Sequence, residues 1–383
     1  MRMLAVSLIA TTAAVAAGPE EIPFDDGRWE VRAREHRFEE HLGRPSLFIR
    51  EGLATVRDLE LTDGIIEFDI AFGPERGFMG GVWRLQEGGN GEEFYVRPHQ
   101  SGKPDACQYT PILHGLTSWQ LYHGEGYGAS IDLPAGRWNT VRIVVAGDRA
   151  EIYVGDPETP AVVVGRLKRP PGPGKVGVNA HFAPAHYSRF RVQRGTFPLR
   201  GTPAKPSPAP VGSIRTWEVS APFAEEDLAD RTEIDPARFA DTGWRPLETE
   251  ETGLANLASL GGPEEGADTV IARARLVSDR ARRVLLRFGY SDRVRVFLDG
   301  ALLYAGDNGY RTRDFRYLGT IGYFDTVPLS LREGTNELWL AVSESFGGWG
   351  VQAHLVAAQG VTVAPADAAI TAPPPASGGA RSR

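Results

Sequence analysis

The densest polar and aromatic stretch of this 383-residue chain runs from Arg97 to Tyr127. Its first half supplies Arg97, His99, Gln100, Asp105, Gln108 and Tyr109. Its second half supplies Trp119, Tyr122, His123 and Tyr127. Planar polar groups beside aromatic rings suit a ligand with apolar C–H faces and hydroxyl edges, as a sugar has. On that reading Trp119, Tyr122 and Tyr127 are stacking platforms, while His99, Gln100, Asp105, Gln108 and His123 read hydroxyls. The bland reading is a long structured loop whose polar groups satisfy its own backbone and whose aromatics plug the end of a core. Both stay open, although long structured loops are often functional. The interval from Thr110 to Leu116 reads as a turn-bounded crossing that folds the second half over the first.

A second such cluster lies between positions 289 and 350. Asp292, Arg311, Arg313, Asp314 and Trp349 are its candidate site residues. The two arginines and two aspartates could pair with one another and hold the loops together. Otherwise they form a second glycan site, with Arg reading a uronate. No cofactor is expected, and no His/Cys set has credible metal spacing. Cys107 and His114 are seven apart on an expected loop. His181 and His186 are five apart and would face opposite sides of one strand. No Gly-x-Ser-x-Gly elbow occurs. A formal charge of -7 without a basic run argues against a nucleic-acid partner.

These residues need a rigid frame, and the patterning predicts an all-β one. The 45 Gly and 28 Pro favour many turns over long helices. Asp63-Gly64 launches an alternating run in which Ile66, Phe68 and Ile70 face one way and Glu67 and Asp69 the other. Residues 141–154 read as a hairpin about Gly147-Asp148, and 174–179 and 188–192 as closing strands. Further on, 284–288, 294–298 and 336–342 read as strands, with a hairpin turn at Asp299-Gly300. A short helix is possible at 222–228. The Pro-rich run 201–210 predicts a spacer. The expected plan is therefore two tandem β-sandwich domains, at 18–198 and 213–360, joined by a linker at 199–212.

The ends carry other signals. Residues 1–17 have the charged, apolar and small-residue order of a signal peptide, which predicts export. No stretch approaches the roughly 20 apolar residues of a membrane span, so no transmembrane anchor is expected. Residues 361–383, rich in Ala, Pro, Ser and Gly, read as a disordered tail. The single cysteine, Cys107, rules out an internal disulfide.

The order Gly52-Leu-Ala-Thr-Val56, Asp63 to Asp69, Gly80-Gly-Val-Trp-Arg-Leu85, Glu93-Phe-Tyr-Val-Arg97, Gly136 to Ile143 and Gly174 to Val178 resembles the concanavalin A-like lectin/glucanase superfamily in its laminin-G-like jelly-roll form. Val294 to Gly300 and Leu331 to Leu338 are similar to galactose-binding-like jelly rolls. The first resemblance implies a β-sandwich that binds carbohydrate on a concave sheet. Glucanases of that superfamily carry Glu-x-Asp-x-x-Glu; here Glu67 and Asp69 match, but Phe72 stands at the last position. That leaves Glu67 and Asp69 as the solvated face of a strand, and no catalytic residue is assigned. Gly136-Arg-Trp-Asn139 is similar to a strand of 3-keto-disaccharide hydrolases. Three readings result: a glycan-binding protein acting through its first domain, an enzyme acting on a sugar, or a structural module of the cell envelope.

Overall fold

A computed structural model describes residues 18–314 and 316–364. The expected signal peptide and most of the expected tail lie outside them. The described residues divide into two compact units between Lys205 and Pro206, inside the Pro-rich stretch. Both are all-β, as the patterning predicts. Among the described residues no helix is long and apolar enough to cross a membrane.

The first unit has fourteen strands: β1 (Glu20–Ile22), β2 (Trp29–His41), β3 (Arg44–Glu60), β4 (Gly64–Phe72), β5 (Phe78–Gln86), β6 (Asn90–Val96), β7 (Cys107–Leu113), β8 (Leu116–Thr117), β9 (Gly128–Ala129), β10 (Asn139–Ala146), β11 (Arg149–Val154), β12 (Val162–Val164), β13 (Lys175–His181) and β14 (Ala185–Arg194). One hydrogen-bonded path runs β12-β11-β10-β4-β14-β3-β13-β5-β6-β7-β8. It curls into two facing layers because β3 belongs to both. Leu47 to Ile49 pair with β14, and Gly52 onward pairs with β13. The switch falls at Glu51, which has φ of 50°. Gly52 follows because a Cβ there would lie 2.3 Å from the Cα of Ala33 on β2.

Alternation along each strand fills the space between the layers. Ile66, Phe68 and Ile70 of β4 and Val141, Ile143 and Val145 of β10 join Trp83, Phe94, Tyr109 and Val178 in one buried cluster. Each large apolar side chain so buried stabilises the fold by about 1.5–3 kcal/mol. Gly81 makes room for the opposite layer: its Cβ would meet the Phe68 ring at 2.8 Å.

The second unit continues with β15 (Thr216–Val219), β16 (Arg245–Glu248), β17 (Ala255–Asn256), β18 (Thr269–Ser278), β19 (Arg282–Ser291), β20 (Arg293–Leu298), β21 (Ala301–Asp307), β22 (Asp325–Leu331), β23 (Gly334–Ser343), β24 (Gly350–Val356) and β25 (Val361–Val363). One sheet has the order β16-β15-β18-β23-β20-β21, and the other β17-β24-β19-β22. Asp299 and Gly300 both take positive φ, the turn that matches strand twist in a two-residue hairpin. The expected short helix is a 3-10 turn, Glu225–Leu228. The expected tail needs correction at its start: β25 pairs with β18, Leu276 opposite Val363.

Candidate functional site

The register of β13, β5, β6 and β7 decides which residues share the outer face of that layer. Asn179, Gly80, Tyr95 and Gln108 form one cross-strand row. Gly177, Val82, Glu93 and Thr110 form the next. His181 pairs with Phe78 beyond them, beside Arg97. Strand alternation makes these rows face away from the core.

Arg97 organises one side. Its buried guanidinium donates to the Asp105 carboxylate at 2.9 Å, to the Tyr95 hydroxyl at 3.1 Å and to Oε1 of Gln108 at 2.6 Å. Tyr95 also donates to Gln108 Oε1, at 3.0 Å. The Gln108 amide then donates to the carbonyls of Trp119 and Tyr122, at 2.8 and 2.6 Å. Gln108 thus clamps the 119–122 turn back over the sheet. Both ends of its amide serve the fold, so it positions Trp119 and is not itself a hydroxyl reader. Trp119 is half-buried, Gln100 half-buried and His123 exposed.

His99 packs edge-on to Phe78, with centroids 5.8 Å apart. Burial, with Arg76 and Arg97 nearby, holds its imidazole below the ordinary value, which favours the neutral form. Its Nδ1 is buried and has no hydrogen-bond partner among the described residues. Phe78 continues into an aromatic rim with Phe182, which is 57% exposed. The Arg76 guanidinium lies over both rings, 5.8 and 5.2 Å from their centroids.

Two residues outside the expected set complete the face. The Asn179 amide donates to Glu93 Oε1 at 2.6 Å. Asn179 Oδ1 is buried with no hydrogen-bond partner among the described residues. Burial raises the Glu93 carboxyl above the usual carboxylate range, against the opposing pull of His181 and the Asn179 amide. A buried acceptor left unmade costs about 1–3 kcal/mol, so this pole is suited to a ligand that presents hydroxyl donors.

Several expectations are corrected. The stretch from 97 to 127 is not one loop, since β7 runs through it, and Cys107 is a buried strand residue. Tyr109 points into the core, because alternation sets it opposite Gln108. Its hydroxyl donates to Glu92 at 2.6 Å and accepts from the Lys168 amide at 3.1 Å. Tyr122 is 2% exposed, with the Lys168 ammonium 4.7 Å from its ring centroid, so it is packing and not an open platform. His181 and His186 lie on different strands, β13 and β14. Glu67 and Asp69 face outward on the opposite layer. Asp69 is not solvated: it is buried and accepts from Arg44 at 2.5 Å and from Thr140 at 2.6 Å.

In the second unit the four charged candidates do not pair with one another. Asp292 is buried, and its carboxylate accepts from the amides of Ser345 and Phe346, both at 3.0 Å. Arg313 pairs with Asp325 and donates to the Tyr290 hydroxyl at 3.0 Å. Asp314 holds Arg316 at 3.0 Å. Arg311 is exposed, 4.9 Å from the Tyr310 ring centroid. Trp349 is a core residue whose indole donates to the Val342 carbonyl at 3.0 Å. Glu344, absent from the expected set, lies buried beside Asp292. Burial and then the Asp292 charge push it up to about 8. Asp292, Arg313 and Asp314 are thus each engaged in loop-holding contacts.

No family model matches the chain, and no curated protein matches it. Among solved structures it is similar to a carbohydrate-binding module of family 66 from Bacillus subtilis, with 16% identity over 42% of this chain and 92% of that one, at a TM-score of 0.32. It is similar to a β-glucanase from Bacillus licheniformis, with 12% identity over 47% of this chain and 99% of that one, at a TM-score of 0.34. A galectin-like protein of unknown function from Bacillus subtilis shares 13% identity over 44% and 90% of the two chains, at a TM-score of 0.34.

Proposed function

We propose that the protein is an exported, carbohydrate-associated protein whose first unit binds a glycan on the outer face of the β13-β5-β6-β7 layer. The observation that carries this reading is the buried, unmatched acceptor Asn179 Oδ1 beside Glu93, on the layer face that also carries the Phe78–Phe182 rim and the Trp119 turn. Sugar hydroxyls supply the missing donors, and the rings cover C–H faces. Arg97 and Gln108 hold the wall in place. Export is supported by the composition of the first 17 residues.

A glycan array probed with the purified protein tests this. The expected result is a discrete set of binders, lost in Asn179→Ala and weakened in Glu93→Gln, with both variants folded by circular dichroism. Binding to no glycan, or equal binding by both variants, overturns the reading.

A further inference from the structure

The opposite outer face of the first unit carries an arrangement that glycan binding does not use. The tip of the β2–β3 hairpin, His41-Leu42-Gly43-Arg44, folds onto β14 and β4. The His41 ring lies flat on the His186 ring, with centroids 3.6 Å apart and planes within 5°. Trp138 meets His41 edge-on at 5.7 Å. Arg44 reaches over Trp138, 5.5 Å from its centroid, and binds Asp69. Phe48 closes the far side of His186 at 5.0 Å. His186 Nε2 is 2.9 Å from Glu39 Oε1.

Two neutral imidazoles stack well, and one imidazolium on a neutral ring is tolerated, but two imidazoliums at that separation repel strongly. The charged groups around the pair do not cancel a second proton. From β2 they are Arg37 and Glu39, from β3 Arg44, from β4 Asp69 and from β14 Arg189. Glu39 is shared between His186 and Arg37. Asp69 is occupied by Arg44, with Arg189 at 3.6 Å. Burial holds the His186 imidazole below its ordinary value, against the hydrogen bond with Glu39 and with a smaller push from His41.

We propose that this hairpin tip is an acid-operated clasp, closed while at most one of His41 and His186 is protonated and released when both are. Release unstacks His41, withdraws Arg44 from Asp69 and bares Trp138. The hinge is local, because Leu42 and Gly43 already hold the left-handed turn conformation, with φ of 46° and 71°.

The test uses the purified full chain with ¹³C-labelled histidine, followed by NMR from pH 8 to pH 4. The expected result is that His41 and His186 titrate as a coupled pair in two steps, more than about one pH unit apart. That separation corresponds to at least a tenfold weaker second protonation. Tryptophan emission should change with the lower step, and that change should be missing in Trp138→Phe. His41→Phe keeps an aromatic stack but no second charge, so His186 should titrate in one step with no emission change. If His41→Phe does not fold, His186→Phe makes the same test on His41. Independent titrations with overlapping midpoints, or a Trp138 signal indifferent to the lower step, overturn the proposal.

Discussion

The two outer faces of the first unit are built from similar side chains and left in opposite states. On the β4–β14 face, Asp69 is saturated: Thr140 donates to one oxygen, Arg44 binds the other, and Arg189 stands at 3.6 Å. On the β5–β6 face, Glu93 takes its side-chain hydrogen bond from Asn179, whose own carbonyl oxygen is unmatched. A paired carboxylate explains itself structurally. The unmatched Asn179 Oδ1 does not, because a buried acceptor without a donor costs stability. Satisfaction, and not residue type, separates the two faces.

The largest expected effect that sharpens this contrast is on Arg97. Arg97→Ala removes the guanidinium bonds to Asp105, Tyr95 and Gln108 and leaves the buried Tyr95–Gln108 pair with only its own mutual hydrogen bond. The loss should be about 3 kcal/mol in urea denaturation of the first unit, together with glycan binding. Arg44→Ala, at a side chain 34% exposed, should cost no more than about 1 kcal/mol and leave binding intact. Equal costs would erase the distinction between a wall that shapes a site and a surface pair.

The next effect separates the inner and outer sides of β6. Glu92 lies beneath Glu93 in the core, and burial pushes its carboxyl from the ordinary 4.5 up to about 7 despite the Tyr109 hydroxyl and the Arg169 and Arg84 charges. The folded state binds that proton more tightly than the unfolded state. Its stabilising effect is therefore complete below about pH 4.5 and is lost as pH rises through about 7. Wild type should lose on the order of 3 kcal/mol across that window, relative to Glu92→Gln. Parallel pH–stability curves for the two proteins would count against a buried, proton-holding Glu92.

Trp119→Ala acts on the ligand more than on the fold. Trp119 is half-buried on a turn whose carbonyls stay tied to Gln108. Glycan affinity should fall tenfold to a hundredfold, or about 1–3 kcal/mol, with a small change in melting temperature. A large drop in melting temperature with unchanged affinity would make Trp119 a plug. The smallest effect belongs to the saturated face. Asp69→Asn keeps the acceptor for Thr140 and should cost under about 1 kcal/mol with no change in glycan binding; weakened binding would mean the two faces are coupled.

Much of the frame was legible before any coordinates. Alternation in 65–70 gave the correct faces for Ile66, Phe68 and Ile70, because a half-buried strand has period two. Gly147-Asp148 and Asp299-Gly300 marked real hairpin turns. The site was legible only in part. Arg97, Gln108 and Trp119 do meet, but the expected crossing at 110–116 is mostly strand: Thr110 to Leu113 belong to β7, and the chain reverses at His114-Gly115 into β8. Tyr109 stands among the candidates by its place in the stretch, but in β7 alternation turns it into the core, and an expected loop offers no alternation to reveal that. Glu93 and Asn179 are 86 residues apart. Their meeting depends on the β13-β5-β6 register, which no local pattern states. Phe78 and Phe182 were missed for the same reason.

The place of β14 in the sheet bears on the order of events during synthesis. It lies between β4 and β3 and also pairs with β1, Glu20 opposite Val192. The centre of one layer is therefore supplied by the last strand of the unit to be made. Until residue 194 has emerged, β3 and β4 have no common neighbour and β1 has no partner. At about 5–20 residues per second, a nascent chain passes many seconds with its apolar strands uncovered. Pairings of such long sequence separation also form slowly. The charges that line β2, Arg32, Arg34, Glu35, Arg37, Glu39 and Glu40, then have a use before folding as well as after it. They keep the longest early hairpin from adding foreign strands along its edge.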